Sequence, residues 1–92
     1  MENTIALQNA HRLASLSVAF CAINGLEVTA ELVPVLSHTI LSECAAWCAE
    51  NGQEFAPEKI LIPDEAISYA FDRCQAIASL ANLAVFAAGM ES

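Results

Sequence analysis

Basic side chains are the scarcest chemistry in this 92-residue chain: Arg12, Lys59 and Arg73 stand against eleven acidic residues, for a formal charge of −8. So few cations argue against direct binding to DNA or RNA, because phosphate contact needs clustered Lys and Arg to release counterions. They argue equally against docking on an anionic membrane surface. Glycine and proline are also scarce, at three each. Every glycine falls at a predicted helix end, so there is no Gly-rich phosphate loop. Nor is there a Ser-His-Asp pattern, and a nucleotide-using or nucleophilic enzyme has no support. The longest uncharged stretch, Cys74 to Met90, contains Gln75, Ser79 and Asn82. It is too short and too polar for a membrane span of ~20 strongly apolar residues. The chain opens Met-Glu, without a basic segment leading into an apolar run, and so without the pattern of a secretory signal. Its four cysteines, Cys21, Cys44, Cys48 and Cys74, have no framework spacing. Reduced thiols in a cytoplasm are the expectation.

What the chain has in plenty is apolar surface. Hydrophobic residues make up 57% of it and charged residues only 15%. The length implies one domain, and a domain of this size buries well under ~70% of its unfolded surface. The apolar content therefore exceeds what a small monomer easily hides, and part of it is expected against another chain, a copy of itself or a different partner.

Three helices are legible, over about 3–24, 30–51 and 64–88. In the first, Asn3 or Thr4 is placed to cap the start and Gly25 to terminate the end. Leu13, Leu16, Phe20 and Ile23 share one face by spacing, with Gln8, Arg12 and Ser15 on the wetter side. In the second, Leu36, Ile40, Cys44 and Trp47 line one face, with Thr39, Glu43, Ala46 and Glu50 on the other. Its start is open: either Thr29 caps a helix that bends at Pro34, or Pro34 occupies the first helical position. Asn51-Gly52 is a strong stop. Between Gln53 and Pro63 the chain is irregular. There Phe55, Ile60, Leu61 and Ile62 are expected to anchor the connection, and Lys59–Ile62 forms at most a short extended piece without a sheet partner. The last helix opens at Asp64, the expected N-cap, and ends at Gly89. Its apolar face is Ile67, Ala70, Cys74, Ile77 and Ala81. Its polar stripe, Ser68, Asp72, Gln75, Ser79 and Asn82, continues into Phe86, a candidate interface residue. An all-α bundle of three main helices follows.

Metal or thiol chemistry has a weak basis. Cys44 and Cys48 are four apart on one helix with His38 before them, and zinc would need further ligands from Cys21, Cys74 or His11. Cys44 also reads as an ordinary small core residue beside Trp47. His11 and His38 have no evident partner or pocket for acid–base work. No metal, cofactor or catalytic residue is assigned.

The acidic residues are the stronger signal. Glu43, Glu50, Glu54, Glu58, Asp64, Glu65 and Asp72 fall within thirty residues on the second helix, the last helix and the connection between them. If those helices are antiparallel neighbours, the connection and one flank make a continuous negative surface. It either keeps an apolar protein soluble or occupies the basic groove of a nucleic-acid-binding protein.

Small size, strong acidity and the absence of a catalytic motif or targeting signal together give the chain a character that resembles phage proteins that block bacterial defences, the anti-CRISPR proteins. The resemblance is one of whole-chain character and rests on no shared motif. It implies a non-enzymatic inhibitor in the cytoplasm of a bacterial host cell. Such a protein covers a basic nucleic-acid-binding surface of a CRISPR-Cas-like complex. The alternative reading is a small homo-oligomeric helical module with a regulatory or scaffolding role, in which Phe86 and Leu83 serve self-association.

Overall fold

The structure, a computed structural model, describes residues 4–91, with side chains through Leu80. It is an all-α bundle of α1 (Thr4–Asn24), α2 (Leu32–Glu50) and α3 (Asp64–Glu91). Side-chain pairings give the topology. Ser17 of α1 meets Ser37 of α2, while the earlier Ala10 and Leu13 sit beside the later Leu41. Cys44 of α2 meets the Ala66 carbonyl of α3, while Leu36 and Thr39 sit beside Ile77 and Ala78. Both successive pairs are therefore antiparallel. Arg12–Asp64 and Asn24–Gln75 run in the same order along α1 and α3, so the chain goes up, down and up.

The same device ends α1 and α2. Gly25 and Gly52 take the left-handed conformation, at φ 67° and 65°, which a Cβ disfavours. Each lets the next residue bond back across the final turn: Leu26 N–H to the Cys21 carbonyl at 2.8 Å and Gln53 N–H to the Cys48 carbonyl at 2.9 Å. This is the Schellman closure. The asparagine before each glycine reinforces it, Asn24 Nδ2 donating to Phe20 O and Asn51 Nδ2 to Trp47 O, both at 2.8 Å.

The ambiguity at Pro34 is resolved by Thr29. Its Oγ1 accepts from Leu32 N–H at 3.0 Å, and its carbonyl accepts from Val33 N–H at 3.2 Å. A helical turn thus begins at Thr29, and Pro34 falls in the opening turn of α2, where a missing N–H is tolerated. At α3 the Pro63 carbonyl takes the first bonds, from Ala66 and Ile67 N–H. Asp64 is the first helical residue rather than the cap. At the other end α3 continues through Gly89 to Glu91.

The core joins Leu13 and Phe20 of α1, Ile40, Cys44 and Cys48 of α2, Ile62 of the connection, and Ala66, Ala70 and Cys74 of α3. Small side chains let α3 approach α2 closely, and the Cys44 Sγ lies 3.6 Å from the Ala66 carbonyl oxygen. Phe20 and Phe71 close the α1–α3 side edge to face, with centroids 6.2 Å apart at 87°, the arrangement the ring quadrupole favours.

Four expectations are corrected here. Ile23 is 60% exposed and Ile77 50%, because the buried stripe of α1 turns through Ser17 and Cys21, and that of α3 through Ala66 and Ala70. Arg12 does not sit on a wet face: it is half-buried and bonded to the connection. Lys59–Ile62 is not an extended piece, since Lys59 and Ile60 N–H both return to the Ala56 carbonyl at 2.8 Å in a turn. Of the four proposed anchors, Ile62 is buried and Phe55 packs on the core, whereas Ile60 and Leu61 face outward.

Among the described residues, α2 is long and apolar enough to cross a membrane by length and composition, at a mean hydropathy of 1.3. In the bundle it supplies Ile40, Cys44 and Cys48 to the core.

Candidate functional site

The acidic end of the molecule is assembled by a polar clamp on α1. Asn9 is buried although polar, at 2% exposure. Its Nδ2 donates to the carbonyls of Pro57 (2.8 Å) and Ile60 (2.9 Å), and its Oδ1 accepts from Ile62 N–H (3.1 Å). One turn on, Arg12 Nη1 donates to the Ile62 carbonyl at 2.9 Å and Nη2 to Asp64 Oδ1 at 2.7 Å. An irregular segment leaves backbone groups that no helix or sheet satisfies. Here two side chains of a regular helix supply the missing partners, and the connection is held under the first turns of α1.

That clamp decides where the acids go. Glu50 ends α2, Glu54 and Glu58 lie on the pinned connection, and Asp64 and Glu65 open α3, so all five gather at one end of the bundle. All five are exposed. Asp64 is tied to Arg12, yet its carboxylate stays open to solvent, with its side chain 96% exposed. Asp64 and Glu65 also sit in the first turn of α3, where the helix dipole favours negative charge. Asp72 is exposed two turns further along α3. Glu43 stands apart: its side chain is only 23% exposed, and its Oε1 lies 3.0 Å from Arg73 Nε. Its contact is to its own α3 neighbour rather than to solvent. Phe86 lies outside the described side chains.

Beside the acids runs an open groove of about 540 Å³ lined by Thr4, Leu7, Gln8, His11, Arg12 and Leu61. Leu7 and Leu61 give it an apolar floor, and Arg12, which pairs with Asp64, forms part of its border.

The cysteines form a different environment. All four are free and buried. Burial, reinforced by the neighbouring Cys48 thiol, pushes Cys44 up from an ordinary value of 9.0 to about 11. Burial raises Cys48 and Cys74 as well, with Glu43 adding to the shift at Cys74. These are protonated core thiols, the opposite of the lowered values that make a cysteine nucleophilic. Among the described residues no three His, Cys, Asp or Glu side chains are placed to share a metal. At pH 8 the Cys44 thiolate fraction is about a hundredfold below that of an ordinary thiol. Alkylation of the native protein by iodoacetamide is therefore expected to be at least that much slower than in denaturant, and mass spectrometry of timed samples measures it. The sign for stability follows from the raised value. The folded state holds its proton where the unfolded chain has lost it, so stability is retained below about pH 9 and declines as pH rises toward 11. A denaturation midpoint that stayed flat across that range would contradict this.

Sequence reasoning missed Asn9 and misplaced Arg12. The available signal was that Asn9 lies one helical turn before Leu13 and two before Ser17, on the stripe that turns inward. A polar residue on a buried stripe beside an irregular connection marks a side chain that satisfies backbone.

No known protein family matches this chain, and no curated protein and no solved structure is detectably similar to it.

Proposed function

We propose that this protein is a non-enzymatic, protein-binding inhibitor whose acidic end occupies a basic nucleic-acid-binding surface. The target class we propose is a bacterial defence complex of the CRISPR-Cas kind. The observation supporting this reading is the collection of Glu50, Glu54, Glu58, Asp64 and Glu65 on one end, exposed to solvent around a segment whose backbone is hydrogen-bonded to Asn9 and Arg12. A pinned acidic surface loses less entropy on docking than a flexible acidic tail. Its field steers association with a cationic groove and excludes nucleic acid from the same site. The neighbouring apolar groove at Leu7 and Leu61 offers contact area that charge alone does not provide.

The test uses the intact protein as bait in a lysate of a bacterial host at low salt, followed by binding measurements with the purified complex recovered. Binding is expected to weaken at least tenfold between about 50 and 500 mM salt, and duplex DNA or guide RNA is expected to compete. The exposed triple variant Glu50→Lys, Glu54→Lys, Glu58→Lys should fold normally, since surface changes shift stability by only about 0.5 kcal/mol each and a cation suits the C-terminal end of α2 that Glu50 occupies. It should bind at least a hundredfold more weakly. Unchanged affinity of the triple variant would end the acidic-surface reading.

A further inference from the structure

The same dipeptide, Asn-Gly, closes α1 and α2, and these are the two places in the chain where asparagine precedes glycine. Such a pair is chemically labile, because glycine has no Cβ to keep its backbone nitrogen away from the asparagine side-chain carbon. The two caps have nearly the same backbone, with Gly25 at φ 67° and Gly52 at 65°. On both glycines the position a Cβ would take has no atom within 4 Å beyond the adjoining residues. What differs is the hold on the side-chain amide. Asn24 is half-buried, and its Nδ2 donates twice, to the Phe20 carbonyl at 2.8 Å and across the bundle to Gln75 Oε1 of α3 at 2.6 Å. Asn51 Nδ2 donates to the Trp47 carbonyl of its own helix at 2.8 Å, and both Asn51 and Gly52 are exposed.

We infer that Asn51–Gly52 is a self-modification site, where the side-chain amide is converted to a carboxylate, and that Asn24–Gly25 is protected by its bond to Gln75. The Gly52 nitrogen attacks Asn51 Cγ and an N–Cγ bond forms. The Cγ–Nδ2 bond breaks, and ammonia leaves with the proton that the Gly52 nitrogen gives up. Water then opens the cyclic imide. Cleavage of the new bond gives aspartate. Cleavage of the original peptide bond gives isoaspartate, in which the chain runs through the side-chain carbonyl. To reach the attacking geometry, Asn51 rotates its backbone away from ψ 10° and releases the Trp47 carbonyl. Both changes are confined to the last turn of α2, where helices fray. The same motion at Asn24 also breaks a bond between α1 and α3.

The product alters the acidic end. It adds one negative charge to the formal −8, between the exposed Glu50 and Glu54. An ionised carboxylate only accepts hydrogen bonds, so it cannot replace the Nδ2 bond to the Trp47 carbonyl. It also stands at the C-terminus of α2, where the helix dipole disfavours negative charge. The modified chain therefore has a more acidic surface and a looser α2 end.

The experiment ages the full chain in mildly alkaline buffer made with heavy-oxygen water and maps its peptides by mass spectrometry. Label is expected at position 51. Position 24 should react about three- to tenfold more slowly, the effect of one additional side-chain hydrogen bond on a rate. An isoaspartate-specific methyltransferase should modify the peptide that holds position 51. In denaturant the tertiary bond is gone, and the two rates should converge. Gln75→Ala should raise the rate at Asn24 toward that at Asn51. Asn51→Asp should speed hydrogen exchange at the Gln53 amide, which bonds to the Cys48 carbonyl in the intact cap. Equal rates at the two sites of the native protein, or a faster Asn24, would overturn the proposal. So would an Asn51 that stays unlabelled while the denatured chain reacts, or an Asn24 rate that Gln75→Ala does not change. The reaction needs no partner, so its outcome is separate from that of the salt and charge-reversal measurements on the acidic end.

Discussion

Asn9→Ala is expected to destabilise the protein by roughly 2–4 kcal/mol, a large share of the stability of a domain this small. The expectation comes from what the substitution strands. Asn9 serves the carbonyls of Pro57 and Ile60 and the amide of Ile62. Alanine satisfies none of them, and the open pocket of about 200 Å³ that Asn9 lines with Pro57 and Glu58 lets water reach part of the site. Leaving buried backbone groups unpaired costs about 1–3 kcal/mol each when no water reaches them. The upper part of that range is reduced here because Arg12 still holds the Ile62 carbonyl. Urea unfolding measures the loss. Hydrogen exchange localises it, with faster exchange at the Ile62 amide while the middle of α2 stays protected. A midpoint within error of the wild type would show that the clamp contributes nothing.

Ile40→Ala should cost about 2–5 kcal/mol and Ile40→Val about 0.5–1.5 kcal/mol. Ile40 is fully buried at the middle of α2, in the cluster shared with Leu13, Phe20, Ala70 and Cys74. The alanines and cysteines around it have short side chains that cannot swing into a cavity, so little of the lost volume is recovered. Leu7→Ala is the comparison. With Leu7 68% exposed, the change should stay within about 0.5 kcal/mol. Denaturant midpoints at constant slope give all three values. Equal losses at Ile40 and Leu7 would contradict the assigned core.

The helices were readable because their signals are local. The Asn24-Gly25 and Asn51-Gly52 stops depend on a backbone conformation that glycine alone adopts readily, and each bond they make spans a few residues. The Ile40–Cys44 stripe follows from the helical repeat. Faces were read less well where the buried stripe is made of small or polar residues. Ser17, Ala66 and Ala70 pack at 0% exposure, yet hydrophobicity weights them lightly. Ile23 and Ile77 attract attention by size and lie outside. On such helices close approach, rather than bulk, decides which face is inward.

The candidate surfaces divide in the same way. That the acids outnumber the bases, and that seven of them fall between Glu43 and Asp72, is a property of the chain. Which of them reach solvent is not. Glu43 turns to Arg73 because antiparallel packing places that guanidinium beside it. Asp64 meets Arg12, fifty-two residues away, because Asn9 draws the connection under α1.

From sequence alone came the all-α class, the helix stops at Gly25 and Gly52 and the acidic, apolar-rich character, each set by neighbours along the chain or by composition. Tertiary structure decided the gathering of Glu50, Glu54, Glu58, Asp64 and Glu65 at one end of the bundle, and the conversion of Asn9 and Arg12 from helix-surface residues into a clamp. Those outcomes depend on contacts between residues about fifty positions apart, formed only once the up-down-up packing exists. No local pattern encodes the direction from which an irregular segment approaches.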